Sequence, residues 1–195
     1  MKRLLVIYDK NIKDKGRDSY LKAIKREIPS AKIFDRHYPS IPFFWADKLL
    51  ILRPMNYKRL VSELWLDNPD RDIEGIYTNR LTITAEAILR VVGEVDNKTI
   101  VIINQSDVLG KPLAKELINY GANVISLNSS FNDYEIIENL DPDILISASG
   151  DDDFKLKGDY LKYINTIIDL SNDIETKNKI TRIPTVEVLK DRLRL

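Results

Sequence analysis

Short apolar runs alternate with amphipathic stretches from residue 98 to residue 170, and this alternation constrains the fold more than any other feature. Four runs rich in β-branched residues predict buried strands, over 98–103, 122–127, 143–148 and 166–170. Three helices are predicted between them, over 111–120, 132–140 and 159–164. Strands that alternate with helices build βαβ units, and these form a parallel sheet that is covered on both faces. The pattern predicts an α/β fold with a domain built on a parallel sheet.

The residues before this region predict a second, smaller α/β lobe. Strands are predicted over 3–8 and 48–52, and helices over 18–28, 56–66 and 83–93. Prolines and aromatic residues crowd residues 29–47, which predicts a loop with at most a short strand. We therefore expect two domains, 1–82 and 83–195, with a cleft between them.

Composition limits the chemistry and the partners. The chain has no cysteine and one histidine, so thiolate and multi-histidine metal sites are excluded and no metal is expected. Its 30 basic and 30 acidic residues give a formal net charge of +0, which argues against nucleic-acid binding. No apolar run approaches the roughly 20 residues that a membrane-spanning helix needs. We expect a cytoplasmic protein that binds neither membrane nor nucleic acid.

One loop in the regular region is a candidate ligand site. Parallel sheets bind ligands at the carboxyl ends of their strands. The loop Asn104–Gly110 runs from a predicted strand to a helix N-terminus, where backbone N–H groups and the helix dipole favour a phosphate. Gly110 permits a close approach, and Lys111 adds a positive charge. With one glycine the loop is neither G-x-G-x-x-G nor a Walker loop, so a plain loop with a capping serine is the alternative.

Residues 104–113, NQSDVLGKPL, resemble the motif G-R-S-x-x-V-G-K-P-L of a known enzyme family. This is the FolD-type family of bifunctional methylenetetrahydrofolate dehydrogenases/methenyltetrahydrofolate cyclohydrolases. Further stretches resemble motifs of this family in the same order, at 69–75, 79–81, 142–150, 168–172 and 180–184. The matches cover about residues 69–189, and the loop that ends in Gly110-Lys111-Pro112 is the most specific of them.

The resemblance implies an oxidoreductase and hydrolase of one-carbon metabolism. A reduced folate domain would form the catalytic lobe, and the Rossmann-like domain would bind NADP or NAD. The dehydrogenase step would oxidise a tetrahydrofolate derivative, methylenetetrahydrofolate, by hydride transfer, and the cyclohydrolase step would hydrolyse the product. A homodimer is implied as well, and a helix over 185–193 would pack back toward the first lobe. The residues at the cofactor-binding positions are Asn104, Gln105, Ser106, Gly110, Lys111, Ser129, Ser149, Gly150 and Asn172.

The family's catalytic side chains have partial counterparts in the first lobe. Tyr20 matches the family's tyrosine, and Glu74 stands in place of its aspartate. The family's lysine follows the tyrosine by four residues, where this chain has Ile24, so Lys25 is the candidate lysine. The family's glutamine motif appears as Leu52-Arg53-Pro54-Met55, without a glutamine.

Gln105 bears on the choice of cofactor. The family's arginine at this position can pair with the 2′-phosphate of NADP, because a guanidinium matches phosphate geometry. The uncharged Gln105 favours NAD, although no acidic residue ends the second strand to hold a ribose hydroxyl. The sequence therefore leaves both NADP and NAD open.

Two functions follow from these residues. The ordered motifs favour a dehydrogenase whose cyclohydrolase step is weak or lost. A non-catalytic relative is favoured instead by three departures from the family. The glutamine is missing, the lysine is displaced, and a glycine-rich loop of the family is shortened to Pro184-Thr185. Such a relative would bind a nucleotide, a folate or a protein partner.

Overall fold

The chain divides into two compact units that are discontinuous in sequence. The computed structural model describes residues 2–12, 15–53, 55, 68–76, 78, 80–131 and 134–194. The first unit is Met1–Ile83 together with Thr185–Leu195, and the second is Thr84–Pro184. The helix predicted over 56–66 lies outside the described residues, as does the start of the helix predicted over 132–140.

The first unit is built on a three-stranded parallel sheet. Its strands and helices are β1 (Leu4–Tyr8), α1 (Lys15–Glu27), β2 (Lys32–Asp35), β3 (Lys48–Ile51) and α5 (Thr185–Arg194). The strand order is β2-β1-β3, and Val6 of the central strand pairs with Ile33 and Leu50. Short 3₁₀ helices cover Phe43–Trp45 and Pro69–Arg71. The region predicted as a loop over 29–47 therefore contains one strand and one 3₁₀ turn.

The aromatic segment after β2 covers one face of this sheet. Leu5 and Ile7 of β1 join Leu49 and Ile51 of β3 in a buried cluster. The partly buried side chains packed on it come from Phe34, Ile41, Phe43 and Trp45. The crowding of aromatic residues in this segment is explained by this packing, because large apolar side chains stabilise a sheet that is too small to bury itself.

Helix α5 belongs to the first unit and not to the second. Val188, Leu189 and Leu193 are fully buried, and α5 packs against α1. The backbone N–H of Lys2 also donates to the Leu193 carbonyl over 3.1 Å. The second unit therefore ends at Pro184 and not at residue 195, and the helix expected over 185–193 packs on the first unit, as the family resemblance implies.

The second unit contains a four-stranded parallel sheet. Its elements are β4 (Thr99–Ile103), α3 (Gly110–Asn119), β5 (Asn123–Leu127), α4 (Glu135–Leu140), β6 (Ile144–Ser147) and β7 (Thr166–Asp169). Helix α2 (Ile83–Val92) precedes them, and its first residue belongs to the first unit. The strand order is β5-β4-β6-β7. The predicted α/β fold with a Rossmann-like sheet is confirmed.

Both faces of this sheet are buried. Val101 pairs with Ile125 on one side and with Leu145 on the other, and Val101 and Leu145 pack against Ile137 of α4. The alternate residues, such as Ile100 and Ile102, are also fully buried. This explains why the strands read as continuous apolar runs rather than as alternating ones.

Two further observations concern membranes and metals. None of the described helices is long and apolar enough to cross a membrane. Asp9, Asp35 and His37 each offer an atom that could hold a cation, and these atoms lie within 4.8 Å of one another. However, Asp9 pairs with Arg36 at 3.0 Å and Asp35 with Lys10 at 3.4 Å, so both carboxylates already have a cationic partner.

Candidate functional site

The loop from Asn104 to Gly110, here called the Asn104 loop, is organised by a single amide side chain. Asn104 Oδ1 accepts hydrogen bonds from Ser106 N (2.9 Å), Ser106 Oγ (2.8 Å) and Gly110 N (2.8 Å). Its Nδ2 donates to the Ala148 carbonyl over 2.6 Å. The side chain thus shapes the loop after β4 and fastens it to the loop after β6.

Gly110 is required by the backbone of the Asn104 loop itself. A Cβ at this position would lie 1.8 Å from the Asn104 carbonyl oxygen, which is far inside any real contact. Ser106 closes the same turn, because its Oγ also accepts from Leu109 N over 3.2 Å. From the sequence, Gly110 was expected to let a ligand approach closely. In the structure, glycine is required at this position because the Asn104 carbonyl lies so close to it.

Gln105 fastens the Asn104 loop to the end of β5. Its Nε2 donates to the Ser126 carbonyl over 2.8 Å, and its Oε1 accepts from Asn128 Nδ2 over 3.2 Å. Asn128 Oδ1 in turn accepts from Ser130 N over 3.0 Å, and Ser129 lies in the turn between them. The predicted residues Gln105 and Ser129 therefore come from two loops that lie side by side.

A groove of about 590 Å³ lies beside Gln105, along α3 and β5. Its lining residues are Gln105, Lys111, Ala114, Lys115, Ile118, Asn119 and Ser126. Lys111 pairs with Asp107 at 2.7 Å, and both side chains are largely exposed. Lys115 makes no ion pair with any residue that the structure describes. The groove therefore offers positive charge next to Gln105, from Lys111 as the sequence predicted and from Lys115, which the sequence did not indicate.

The loops after β6 and β7 are joined through a buried carboxylate, Asp173. Asp173 Oδ2 accepts from Ser147 Oγ over 2.5 Å and from Ser149 N over 3.0 Å, and Oδ1 accepts from Ser149 Oγ over 2.9 Å. Gly150 N donates to Ser171 Oγ over 3.2 Å. The predicted residues Ser149 and Gly150 are thus held to the loop after β7.

Asn172 lies in that loop with a φ of +60°. Its Oδ1 accepts from Lys179 Nζ over 3.2 Å, and Lys179 also forms a 2.7 Å ion pair with the buried Asp169. Asp169 Oδ1 accepts from Asp173 N over 2.8 Å. No role was predicted for Asp169 or Asp173, and the signal for Asp169 is that it is a carboxylate inside the apolar run over 166–170.

The strand order places these loops at one edge of the sheet. The chain runs from β4 outwards to β5 and then returns to the other side of β4 to form β6 and β7. Ligands of open parallel sheets bind outside the carboxyl ends of the strands where the order reverses in this way. The Asn104 loop and the Ser149–Gly150 turn flank that point, so this edge is the candidate nucleotide site.

The first unit holds two of the three predicted catalytic residues in its interior. The Glu74 side chain is buried, and its Oε1 accepts from Ile83 N over 3.2 Å. Burial raises the pKa of Glu74 to about 8, although the Arg192 guanidinium and the Ile83 N–H act in the opposite direction.

Tyr20 on α1 lies close enough to Glu74 for their charges to interact. Its hydroxyl oxygen is buried and has no hydrogen-bond partner among the described residues. Burial raises the pKa of this hydroxyl well above its usual range, and the Glu74 charge adds to the effect. The predicted Tyr20 and Glu74 therefore have buried acidic groups that interact electrostatically, and the two residues are here called the acid pair.

Lys25 is not brought to this pair. Its side chain is exposed, whereas Ile24, one turn after Tyr20, is fully buried. Five residues of a helix turn through about 140° relative to the starting position, so Lys25 lies on a different face from Tyr20. No described residue forms a hydrogen bond or ion pair with Lys25.

Two charged residues of the first unit were missed by sequence analysis. Asp72 is buried and accepts from Gly75 N over 2.9 Å and from Thr78 N over 3.0 Å. Arg192 of α5 donates to the Leu81 carbonyl over 2.6 Å. Its signal was present in the sequence, because Arg192 interrupts the buried stripe of an amphipathic helix.

Residues 82–186 match the family model of the tetrahydrofolate dehydrogenase/cyclohydrolase NAD(P)-binding domain. This match covers more than half of the chain and includes the whole edge built by the Asn104 loop and the Ser149–Gly150 turn. The chain belongs to this family. The resemblance proposed from the sequence motifs is confirmed.

Relatives and solved structures agree with this assignment. The bifunctional protein FolD of Clostridium botulinum (strain Langeland) is 28% identical over 130 residues, which are 65% of this chain and 45% of that relative. The chain thus spans less than half the length of this curated relative.

Two solved structures share the fold. The Trypanosoma brucei methylenetetrahydrofolate dehydrogenase-cyclohydrolase (FolD), complexed with NADP cofactor and inhibitor, has a TM-score of 0.70 at 16% identity. The match covers 99% of this chain and 85% of that one. The NAD-dependent 5,10-methylenetetrahydrofolate dehydrogenase of Saccharomyces cerevisiae has a TM-score of 0.68 at 17% identity, over 98% of this chain and 86% of that one.

Proposed function

We propose that this chain is an NAD(P)-dependent methylenetetrahydrofolate dehydrogenase whose cyclohydrolase step is weak or lost. The observation that carries the proposal is the family match over residues 82–186, which fold into a parallel sheet with ordered polar loops at its carboxyl edge. A cytoplasmic location, a folate substrate and a homodimer belong to the same proposal and rest on the family resemblance.

The chemistry of the carboxyl edge fits a dinucleotide. The dipole of α3 and the charges of Lys111 and Lys115 favour an anionic group. Ser106, Ser149 and Asn172 offer neutral hydrogen-bonding groups of the kind that hold ribose hydroxyls and amides. Asn104, Gln105, Gly110, Ser129 and Gly150 keep the proposed binding role, chiefly by shaping these loops. When bound, the nicotinamide ring would supply the chemistry of hydride acceptance.

Tyr20 and Glu74 supply the acid chemistry in this proposal. Because the pKa of Glu74 is about 8, its carboxyl carries a proton at neutral pH and can donate a hydrogen bond or the proton itself. The Tyr20 hydroxyl stays protonated over the same range and can orient a polar group of the substrate. Lys25 keeps a predicted catalytic role that requires it to act without contact with Tyr20.

The exposed position of Lys25 favours a second candidate, a non-catalytic relative that binds a nucleotide or a folate. The two functions differ in a simple measurement. Absorbance at the wavelength of the reduced nicotinamide would be followed with methylenetetrahydrofolate and either NAD or NADP. Binding of both cofactors would be measured by calorimetry in parallel.

The enzyme proposal expects turnover with at least one cofactor and a loss of at least about tenfold in Tyr20→Phe. The Lys25→Ala variant tests the role of the lysine, and Lys22→Ala on the same helix is its matched control, because Lys22 is also exposed. Cofactor binding without turnover, from protein shown to be folded, would contradict the enzyme proposal and support the binding relative.

A further inference from the structure

Arg192 occupies a position that normally belongs to an apolar residue. Val188 and Leu189 precede it by one helical turn on α5, Leu193 follows it, and all three are fully buried. An arginine on such a stripe needs partners for its donors, because an unsatisfied buried donor is costly. The structure shows what these partners are.

The Arg192 guanidinium holds both ends of the loop that carries Glu74. This loop, from Asp72 to Leu81, is here called the Glu74 loop. Arg192 Nη1 donates to the Ile73 carbonyl over 2.8 Å and to the Glu74 carbonyl over 3.2 Å, and Nη2 donates to the Leu81 carbonyl over 2.6 Å. One side chain therefore bridges backbone positions eight residues apart, and it does so from a helix more than a hundred residues later in the chain.

The Arg192 guanidinium also interacts electrostatically with both Glu74 and Tyr20. The groups that act on the Glu74 carboxyl are Arg192 from α5, the Ile83 N–H at the start of α2 and Asp72 from its own loop, and Glu74 in turn acts on Tyr20 of α1. Arg192 is the cation among them, and it favours the ionised form of Glu74 while burial and Asp72 oppose it. A positive charge fixed by three carbonyls cannot move away when Glu74 gains or loses its proton.

We propose that Arg192 is a positioning residue: it fixes the backbone of the Glu74 loop at the Ile73, Glu74 and Leu81 carbonyls and holds a positive charge beside Glu74. The inference rests on the proposed function for its catalytic meaning. The effect of Arg192 on the position and the charge state of the buried Glu74 can be tested without any substrate.

The test is a carbon-13 NMR titration of the glutamate side-chain carboxyls in the full-length chain, with Glu74→Gln used to assign the Glu74 signal. Arg192→Gln removes the charge, and Arg192→Lys keeps it without the planar fork. Arg194→Gln is the matched control, because Arg194 lies on the same helix with an exposed side chain.

Removal of the charge is expected to raise the titration midpoint of Glu74 by about one pH unit or more. Arg192→Lys is expected to restore most of this shift, and Arg194→Gln is expected to leave the midpoint unchanged. A purely structural clamp would leave the midpoint where it is. An unchanged midpoint in folded Arg192→Gln would therefore overturn the proposal.

A second measurement covers the case in which the Arg192 variants do not fold. In the unsubstituted protein, the nitrogen-15 signals of the Arg192 side chain should shift with the same midpoint as Glu74, and Glu74→Gln should abolish that shift. Side-chain signals that ignore the titration of Glu74 would overturn the proposal. If these signals behave as expected but the protein turns over no folate, Arg192 still sets the charge of Glu74 and only the proposed reaction fails.

Discussion

The Asn104 loop and the Glu74 loop are both held by one side chain, but the two side chains differ in charge and in distance. Asn104 is neutral and belongs to the loop it organises. Arg192 is charged and reaches the Glu74 loop from the last helix. The comparison teaches that a loop for a cofactor can be shaped by local neutral hydrogen bonds. The Glu74 loop, which carries a buried acid, is held by a cation from a helix distant in sequence, and this cation opposes in part the rise in the pKa of Glu74 that burial causes.

The largest expected loss of stability comes from a substitution of Gly110 in the Asn104 loop. Gly110→Ala places a methyl group 1.8 Å from the Asn104 carbonyl, so we expect the free energy of unfolding to fall by about 4 kcal/mol. Gly93→Ala is the control, because Gly93 has a φ of +68° but open space around it. The control should lose about 1 kcal/mol from backbone strain alone. Urea denaturation followed by circular dichroism measures both, and equal losses would show that the loop can widen around a methyl group.

The Glu74 loop should respond to pH where the Asn104 loop does not. Folding raises the pKa of Glu74 from 4.5 to about 8, so the folded state binds a proton that the unfolded state has released. The resulting stability is fully present below 4.5 and is lost as the pH rises through about 8. We expect the free energy of unfolding to fall by roughly 1 kcal/mol per pH unit across this window because of Glu74.

Glu74→Gln tests this pH dependence, since glutamine cannot release a proton. The difference between the stability curves of the variant and the unsubstituted protein should slope over the stated window. Glu187→Gln, at an exposed position of α5, should produce no slope. If the stability curves of Glu74→Gln and the unsubstituted protein run parallel, the ionisation of Glu74 does not contribute to the pH dependence of stability.

Two substitutions of Asn104 test which of its hydrogen bonds stabilise the Asn104 loop. Asn104→Ala leaves the N–H of Gly110 without its acceptor, and we expect a loss of about 2 kcal/mol in the free energy of unfolding and weaker NAD(P) binding. Asn104→Asp keeps the acceptor of the turn but sets a carboxylate oxygen against the Ala148 carbonyl, so its loss, about 1 to 2 kcal/mol, comes from that contact alone. Equal effects would mean that the bond to Ala148, not the turn, carries the energy.

The smallest expected effect concerns Lys115 in the groove beside Gln105. If its charge assists a 2′-phosphate, Lys115→Ala should weaken NADP binding by about threefold and leave NAD binding unchanged, since exposed ion pairs contribute little. Lys177→Ala, an exposed lysine elsewhere in the second unit, is the control. Calorimetric titration with both cofactors measures the ratio, and equal weakening of the two would assign Lys115 no part in the choice between them.

Much of the fold could be predicted because its signals are local. The buried runs that form β4, β5, β6 and β7 lie within one or two residues of their predicted ranges, and Gly121 and Pro112 mark the ends of α3 as expected. The strand β2 was the weakest prediction, since none of its four residues is fully buried and its apolar run is only two residues long. Local pattern is a good guide only where a segment is buried on both faces.

The candidate site was predictable in part for the same reason. The Asn104 loop could be found because its partners lie within six residues of one another. The partners of Arg192 and Asp173 could not be predicted, because they are carbonyls and hydroxyls distant in sequence, up to 119 residues away for Arg192. Lys25 was chosen by spacing from a family motif, and spacing does not reveal that Ile24 takes the buried position beside it.

The assignment of α5 to the first unit has a consequence for biosynthesis. The ribosome makes Glu74 before any of the second unit, and it makes Arg192 after all of it. The second unit is one continuous segment and can fold while the chain is still growing. The hydrogen bonds of Arg192 to the Glu74 loop cannot form until α5 has been synthesised. The nascent chain would therefore acquire its dinucleotide fold before its acid pair is assembled.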